Sequence, residues 1–359
     1  MATPNDFRIP VAVLGATGAV GQRLISLLDG HPKFVLAEVA ASERSAGKRY
    51  ADAARWILPG DIPDAARDLT VTSVEDALSS PVCLSALDAA VADTVEPLQA
   101  SRGKLVVSNT KSFRMKPDVP LVIPEVNPDH LGLIDVQSWH SAGGGIVTNP
   151  NCSVVGLAMA LAPLERAFGV ARVCVTTMQA LSGAGYPGVA SLDAQGNVIP
   201  FIDGEEDKIE REPRKILGHL VNGRVQDADF PISVSVNRVP VRDGHTESVF
   251  VDLRKKASLD DVRAALEAFT GEPQRLNLPS APVRPIAVRD ERDRPQPARD
   301  VEAGKGMTVT VGRLRPDPAF DLKFTVLVHN TVRGAAGAAL LNAELLLAQG
   351  RVAARAPAR

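Results

Sequence analysis

The stretch IPVAVLGATGAVGQRLISLLDGHP, residues 9–32, decides the fold of the first half of the chain. An apolar run leads into Gly15, Gly18 and Gly21, and leucines then recur at helical spacing over residues 24–28. This order predicts a strand, a tight glycine turn and a helix. Such a unit typically opens a parallel sheet that is covered by helices.

The rest of the chain divides into two patterns. Further apolar runs predict strands of the same parallel sheet at residues 34–42, 82–87, 103–109 and 119–126. Beyond residue 150, long alternations of apolar and polar residues predict an antiparallel or mixed sheet, at residues 171–181, 231–241, 245–253, 307–314 and 322–330. The segment 276–300, rich in proline and charge, predicts an irregular excursion, and the Gly- and Ala-rich segment 335–349 predicts a closely packed helix.

Bulk properties exclude several classes of protein. The 359 residues exceed the usual size of one core and favour two domains, and 45% hydrophobic with 23% charged residues is an ordinary globular composition. The net charge of -2, with no basic cluster among aromatic residues, argues against a nucleic-acid partner.

Cysteine usage and the N-terminus indicate the compartment. Three scattered cysteines provide no disulfide framework and no metal-ligand spacing, so we expect no metal and a reducing environment. The first residues lack a basic segment followed by an apolar one, and the longest apolar segment is too short to cross a bilayer. We therefore expect a cytoplasmic protein with no membrane partner.

The glycine turn favours a dinucleotide over the alternative of a plain tight turn. Backbone amides at a helix start can approach a pyrophosphate when glycine leaves room for it. At the end of the second predicted strand, Ser42, Arg44, Ser45 and Lys48 stand where an acid would hold a ribose hydroxyl pair. These groups suit a ribose 2′-phosphate and favour NADP over NAD, unless they belong to an ordinary solvated loop.

Cys152 lies in VTNPNCSVVGLAMALAPL, residues 147–164, between a turn and an apolar helix. A lone cysteine in apolar surroundings is usually a core residue. At the first turn of a helix, however, unpaired amides and the helix dipole would lower its thiol pKa and could hold an oxyanion. Cys83 and Cys174 lie inside predicted strands, so we expect them to be core residues.

A thiolate needs a partner for proton transfer. His245 follows a glycine at the start of a predicted strand, and Arg238, seven residues earlier, could form a fork for a carboxylate. Taken one at a time, His245 is better explained as an ordinary turn residue and Arg238 as a surface charge than as functional residues.

Together these segments resemble the aspartate-semialdehyde dehydrogenase family, in particular its archaeal and fungal branch. The resemblance spans almost the whole chain in order, and its motifs are GATGAVGQ, ASERSAGKRY, SNTKSFRMKPDVPLVIPEVNPDHL, NPNCS, TMQALSGAGYPG, IPFIDGEEDKIERE, SVNRVPVRDGHTESVFV, DRPQPARD and HNTVRGAAGAALLNAELL. The related acyl-phosphate reductase of arginine synthesis would carry a glycine where Asn151 precedes the cysteine.

The resemblance implies roles for particular residues. Cys152 matches the nucleophile, His245 the general acid and base, and Gln179 a residue that positions the acyl group. The implied substrate contacts are Arg238 for the α-carboxylate, Glu205 for the ammonium, Lys208 and Arg114 for phosphate, and the neighbouring Asn151. The implied NADP contacts are Gly15, Thr17, Gly18, Ala19, Val20, Gly21, Ser42, Arg44, Ser45, Ser85, Ser182, Gly183 and Asn330.

We therefore predict an α/β protein with a Rossmann-type parallel-sheet domain that binds NADP and an α+β catalytic and dimerisation domain with a mixed sheet. The predicted boundaries are residues 1–149 and 150–334, with the terminal helix, 335–359, returning to the first domain. The family implies reversible, NADPH-dependent conversion of L-aspartyl-4-phosphate to the semialdehyde through a cysteine thioester, by a homodimer or homotetramer.

Two alternatives to this function are open. A malonyl- or succinyl-CoA reductase of the same family would use the same cysteine and histidine, but its substrate has no ammonium for Glu205. A catalytically inactive NADP-binding protein would be expected to have other residues in place of Cys152 or His245, and both are present.

Overall fold

The first half of the chain forms a six-stranded parallel sheet. The structure is a computed structural model that describes residues 8–352. The strands are β1 (Ile9–Leu14), β2 (Phe34–Ala41), β3 (Val71–Ser73), β4 (Val82–Ser85), β5 (Leu105–Ser108) and β6 (Gly145–Thr148). They lie in the order β3-β2-β1-β4-β5-β6, so β1 has β2 on one side and β4 on the other. This arrangement confirms the predicted Rossmann-type sheet, with its switch point beside the glycine turn.

Helices cover both faces of this sheet. They are α1 (Ala19–Leu28), α2 (Tyr50–Ala53), α3 (Asp64–Arg67) and α4 (Ala89–Ser101), with 3₁₀ helices over Pro128–Val136 and His140–Ala142. One apolar core contains Leu24 of α1 and Val13 of β1, and the other contains Val95 of α4 and Ala12 of β1. Because successive strand residues point to opposite faces, burial on both sides explains the continuous apolar runs in the sequence.

The second half forms a mixed sheet. Its strands are β7 (Val170–Gln179), β10 (Ile232–Arg238), β11 (His245–Leu253), β12 (Ile286–Arg289), β13 (Val309–Pro316) and β14 (Leu322–Val328), and a separate hairpin consists of β8 (His219–Val221) and β9 (Arg224–Gln226). The order is β10-β7-β11-β14-β13-β12. The two outer pairs are parallel and the inner pairs antiparallel, as the alternating sequence pattern predicted.

The longest helix of the second half begins at the predicted nucleophile. The helices are α5 (Cys152–Phe168), α6 (Ser191–Ala194), α7 (Glu205–Ile216), α8 (Leu259–Glu267), α9 (Glu272–Arg275), α10 (Pro297–Asp300) and α11 (Gly337–Ala348), with a 3₁₀ helix over Leu181–Ala184 and a π-helix over Val332–Ala336. The side chain of Asn151 accepts hydrogen bonds from the backbone N–H groups of Ser153 and Val154. This N-cap fixes the start of α5 at Cys152.

The strand predicted at residues 119–126 was wrong. Only Leu121 forms a bridge there, to Thr148 of β6, and Pro120 and Pro124 have no N–H to donate to a ladder. The sixth position in the sheet belongs to β6 instead. The short edge strands β3 and β12 were missed, and β12 lies inside the predicted irregular excursion.

The C-terminal segment returns to the first sheet. Leu340 and Leu346 of α11 belong to the same apolar core as Val13 and Leu84 of that sheet. The helix ends at Ala348, and residues 353–359 of the predicted terminal helix lie outside the described residues. The domain boundaries at residues 149 and 335 remain predictions.

A buried ion pair holds this returning segment. Both Arg333 in the π-helix and Glu125 in the loop after β5 are fully buried, and Arg333 Nη1 lies 2.9 Å from Glu125 Oε1. Because a buried charge without its partner is costly, Glu125→Ala should lower the free energy of unfolding by about 3–5 kcal/mol. Urea unfolding at pH 7 measures this change.

The control removes an exposed ion pair. Arg49 and Asp52 pair on the surface, where solvent screens the attraction, so Arg49→Ala should leave the unfolding curve nearly unchanged. Equal small effects of the two substitutions would contradict a stabilising role for the buried pair.

Candidate active site

A cavity of about 560 Å³ opens where the two halves of the chain meet. From the first half it is lined by residues that follow the carboxyl ends of strands, namely Ala19 and Val20 after β1 and Asn109, Lys111 and Arg114 after β5. From the second half it is lined by Asn151, Cys152, Gln179, Ser182, Gly183, Glu205, Lys208 and Arg238, and the C-terminal segment adds Asn330, Thr331, Gly334 and Ala335. The carboxyl edge of a parallel sheet is the usual place for a ligand in this fold.

Cys152 and His245 meet at this cavity. Cys152 Sγ lies 3.2 Å from His245 Nε2, and the imidazole is fully buried. The backbone N–H of Ala180 donates to His245 Nδ1 at 3.0 Å, which assigns the imidazole proton to Nε2. In this tautomer the Nε2–H group faces the sulfur and can stabilise a thiolate.

Burial keeps both groups neutral. Enclosure by protein raises the pKa of the Cys152 thiol to about 12, and the negative charge of Glu205 adds to this effect, while nearby Arg114 and Arg238 oppose it. Burial also lowers the pKa of His245 to about 3. The prediction that the helix start lowers the thiol pKa is therefore contradicted, because burial and the charge of Glu205 raise that pKa.

Glu205 connects three predicted site residues. Its carboxylate accepts hydrogen bonds from Asn151 Nδ2 at 2.7 Å, from Gln179 Nε2 at 3.2 Å and from Lys208 Nζ at 2.9 Å. Burial would raise the pKa of Glu205, but Lys208 and these hydrogen bonds hold it below its ordinary value. Glu205 and Lys208 lie three residues apart on one face of α7 and pair with each other.

Arg114 and Arg238 are also held by protein groups. Arg114 Nη1 lies 3.0 Å from Glu212 Oε1, while Arg238 Nη1 donates to the carbonyl oxygen of Ala180 at 2.7 Å. The other oxygen of Glu212 accepts the backbone N–H of Asn151 at 2.7 Å. Sequence analysis assigned no role to Glu212, although its spacing of seven residues from Glu205 places both on one face of α7.

The glycine turn has the geometry of a phosphate cradle. Gly15 adopts a φ of +74°, and a Cβ at Gly21 would lie 2.2 Å from the Gly15 oxygen, so both positions need glycine. No side chain caps α1, and its first residues, Ala19 and Val20, line the cavity. Uncapped helix amides beside a cavity fit a pyrophosphate.

Some of the other predicted cofactor residues line the cavity, and some do not. Asn330 Nδ2 donates to Ser182 Oγ at 2.8 Å, and both residues line the cavity. Ser42, Arg44 and Ser45 lie in the turn after β2, at the same sheet edge but outside the cavity. Ser85 ends β4 and is fully buried, so its side chain is not brought to the cavity surface.

Sequence analysis missed several cavity residues. Asn109, Lys111 and Gly334 received no role, although the first two lie within the quoted SNTKSFRMK segment and Gly334 within HNTVRGAAG. A Cβ at Gly334 would lie 2.8 Å from Cys152 Cβ, a contact between segments far apart in sequence. No local pattern reports such a contact.

Residues 8–352 contain neither a metal-binding cluster nor a membrane-spanning helix. No group of three or more His, Cys, Asp or Glu side chains in this range could hold a metal ion. No helix in the same range is long and apolar enough to cross a membrane.

Comparisons with known proteins agree over nearly the whole chain. Family models described as "Semialdehyde dehydrogenase, NAD binding domain" and "Semialdehyde dehydrogenase, dimerisation domain" match residues 10–134 and 161–333. An aspartate-semialdehyde dehydrogenase of Methanothermobacter thermautotrophicus is 52% identical, covering 94% of this chain and 99% of the relative. One of Cryptococcus neoformans is 46% identical, with 96% and 98% covered. The crystal structure of the Candida albicans enzyme with NADP is 41% identical, with a TM-score of 0.89 and 95% and 99% covered.

The charge of Glu205 provides a test of the thiol environment. Because this carboxylate raises the pKa of Cys152, Glu205→Gln should lower that pKa and increase the thiolate fraction at pH 8. We expect alkylation of Cys152 by iodoacetamide to accelerate about threefold to tenfold, since only the thiolate reacts. Mass spectrometry of the peptide separates Cys152 from Cys83 and Cys174.

Glu210→Gln is the matched control. Glu210 is exposed on the same helix, so loss of its charge should leave the alkylation rate unchanged. An unchanged or slower rate in Glu205→Gln would show that Glu205 does not hold the thiol neutral.

Proposed function

The chain belongs to the aspartate-semialdehyde dehydrogenase family, and from this premise we propose that it reduces L-aspartyl-4-phosphate to L-aspartate-4-semialdehyde. The reaction is reversible and runs through a thioester on Cys152. The observation that carries the proposal is the contact of Cys152 Sγ with His245 Nε2 beside Glu205, whose carboxylate faces the same cavity.

The chemistry begins at Cys152. Its thiol proton passes to solvent when the substrate binds, and His245 Nε2–H stabilises the resulting thiolate. The sulfur then forms a bond to the acyl carbon, and the bond from that carbon to the phosphate oxygen breaks, so that phosphate leaves with that electron pair. When bound, NADPH supplies the hydride that reduces the thioester carbon. The C–S bond of the resulting thiohemiacetal then breaks and releases the aldehyde. The departing thiolate is stabilised by His245 Nε2–H and takes a proton from solvent.

The substrate is recognised through its charges. In this proposal Arg238 binds the α-carboxylate, Glu205 binds the α-ammonium, and Lys208 and Arg114 bind the phosphate. Glu205 has a second effect, because its negative charge raises the thiol pKa. An ammonium that pairs with Glu205 offsets this charge, so binding of the correct substrate favours the thiolate.

NADP fits the residues at the other end of the cavity. In the proposal the uncapped amides of α1 hold the pyrophosphate, Ser182 and Asn330 bind near the nicotinamide, and Ser42 and Arg44 bind the 2′-phosphate. The bound NADP in the Candida albicans structure supports this choice. The exposed position of Arg44 suits contact with a charged group at the rim of the site.

The wider setting follows from the same premise. We place the reaction in lysine, threonine and methionine biosynthesis in the cytoplasm, and we propose a homodimer or homotetramer. The second sheet supports such an assembly, because α5, α7 and α8 cover one face while Thr176, Phe250 and Thr325 alternate on the other, half-buried. Such a face can pack against the same face of a second copy about a two-fold axis.

The first test compares two aldehydes in the oxidative direction, with phosphate and NADP. Succinate semialdehyde keeps the carboxylate but lacks the ammonium, so it leaves Glu205 without its substrate partner. We expect wild-type kcat/KM to be about 30- to 1000-fold lower for succinate semialdehyde than for aspartate semialdehyde. Glu205→Gln should narrow this ratio, and Cys152→Ala should abolish turnover of both aldehydes.

Equal use of the two aldehydes by wild type would refute recognition of the ammonium. Reduction of malonyl- or succinyl-CoA by NADPH is then the next activity to measure, since those substrates lack an ammonium.

The second test concerns the cofactor. Arg44→Ala should weaken NADP binding about 10- to 100-fold, since a charge-assisted contact to the 2′-phosphate is lost, and it should leave NAD binding unchanged. Lys33→Ala is the control, because Lys33 is exposed just before the opposite end of the same strand. Equal losses for NAD and NADP on titration calorimetry would rule out Arg44 as the discriminating contact.

A further inference from the structure

Glu247 is a carboxylic acid in the apolar layer beneath the active site. It lies on β11 and is fully buried, and neither carboxyl oxygen has a hydrogen-bond partner within the described part of the chain. Valine occupies the next two positions on the same face of this strand, Val249 and Val251. A buried carboxyl group costs stability where a valine would not, so its presence calls for a physical reason.

The position of Glu247 relates it to the catalytic residues. It is two residues from His245 and points to the same face of β11, directly across from Thr177 on β7. Thr177 Oγ1 accepts a hydrogen bond from Gln179 Nε2 at 3.3 Å, and the same Gln179 nitrogen donates to Glu205. Opposite residues of an antiparallel pair have Cβ atoms about 5 Å apart, within reach of a glutamate carboxyl and a threonine hydroxyl.

Helix α5 closes this layer from the other side. A Cβ at Gly156 would lie 3.3 Å from Val326 Cγ1 and 2.9 Å from Val328 Cγ1, so the helix backbone lies directly on β14. Val326 is the cross-strand neighbour of Glu247. Ser153 lies three residues before Gly156, on the same helix face, and its hydroxyl is also buried with no partner among residues 8–352.

We propose that Glu247 is a positioning residue: its carboxyl is connected through ordered water to the hydroxyls of Ser153 and Thr177, and this network fixes Cys152 relative to Gln179. The three groups come from α5, β7 and β11, the elements that carry Cys152, Gln179 and His245. The Glu247 carboxyl and the Ser153 hydroxyl have no hydrogen-bond partner within residues 8–352, and bridging water supplies one to both.

The chemistry of the carboxyl suits this role. Burial and the charge of Glu205 raise the pKa of Glu247 well above its ordinary value, which favours the neutral form of the carboxyl group. A neutral carboxyl has one donor and further acceptor capacity, and it can therefore bridge two hydroxyls. It also adds no second negative charge beside Glu205, which would raise the thiol pKa further.

Two substitutions separate hydrogen bonding from packing. Glu247→Gln keeps the shape, a donor and an acceptor, and it should hold kcat for aspartate semialdehyde within about threefold of wild type. Glu247→Leu keeps the volume but removes the hydrogen bonds. It should lower kcat at least about tenfold with KM within about twofold, because the loss is in the alignment of reacting groups.

Val251→Ala controls for damage to the core. Val251 lies four residues further along the same face of β11, away from His245. This substitution should lower the melting temperature and leave kcat unchanged. Glu247→Leu should instead lower kcat, and a matching fall in melting temperature with unchanged kcat in Val251→Ala shows that loss of stability alone does not lower kcat.

The kinetic test depends on the proposed function, so a second measurement is independent of substrate. Alkylation of Cys152 by iodoacetamide should change at least about threefold in Glu247→Leu and stay near wild type in Glu247→Gln. If wild type fails to oxidise aspartate semialdehyde but this pattern holds, the proposed function fails and the positioning role stands. If Glu247→Leu keeps wild-type kcat and alkylation rate, or Glu247→Gln loses as much as Glu247→Leu, the positioning role is refuted.

Discussion

The close approach of Gly334 to Cys152 is the constraint on which the site depends. The π-helix over Val332–Ala336 lies against the first turn of α5, and there is no room between them for a side chain at Gly334. The buried pair of Arg333 and Glu125 holds this segment from one side. Asn342 Nδ2 donates to the Asn149 side chain on the other. Cys152, the proposed nucleophile, is therefore held by the segment that leads into α11 as well as by its own helix. π-helical turns are frequently found at functional sites, and here the turn brings the C-terminal segment into the cavity wall.

The charges around the nucleophile are fixed by bonds between elements. Helix α7 presents Glu205 and Glu212 on one face. Glu205 holds Asn151 and Gln179, while Glu212 holds Arg114 and the backbone of Asn151. Both carboxylates thus contact the residue that caps α5. Charged groups arranged in this way need little reorganisation when a substrate binds, which favours an electrostatic contribution to catalysis.

Local sequence patterns predicted the features that depend on neighbouring residues. The glycine turn with its helix, the start of α5 at Cys152 and the alternating strand at residues 245–253 all follow from spacing within a few residues. Family resemblance predicted that Glu205, Arg238 and Lys208 contact one substrate, and all three line one cavity. Spacing along the sequence could not have predicted that these residues meet. The strand at residues 119–126 was predicted from apolar content alone. That prediction gave too little weight to Pro120 and Pro124, which cannot donate to a strand ladder.

Features that depend on contacts between residues far apart in the sequence could not be predicted from local patterns. The raised thiol pKa of Cys152 comes from enclosure by both halves of the chain, and the helix start alone pointed in the opposite direction. Glu247 reads as an ordinary polar residue in an alternating strand until the register assigns it to the buried face.

The charges that line the cavity likewise become informative only when they are considered together. The cavity lining contains the cations Lys111, Arg114, Lys208 and Arg238 and the carboxylates Asp203 and Glu205. Glu212, outside this lining, pairs with Arg114, and an excess of one positive charge is left. Aspartyl phosphate, the proposed substrate, carries one ammonium against a carboxylate and a doubly charged phosphate, so an excess of cations complements it. The uncharged carbonyl of the proposed aldehyde product lacks that phosphate, and in the proposed reverse reaction the same excess of cations favours binding of inorganic phosphate beside the aldehyde.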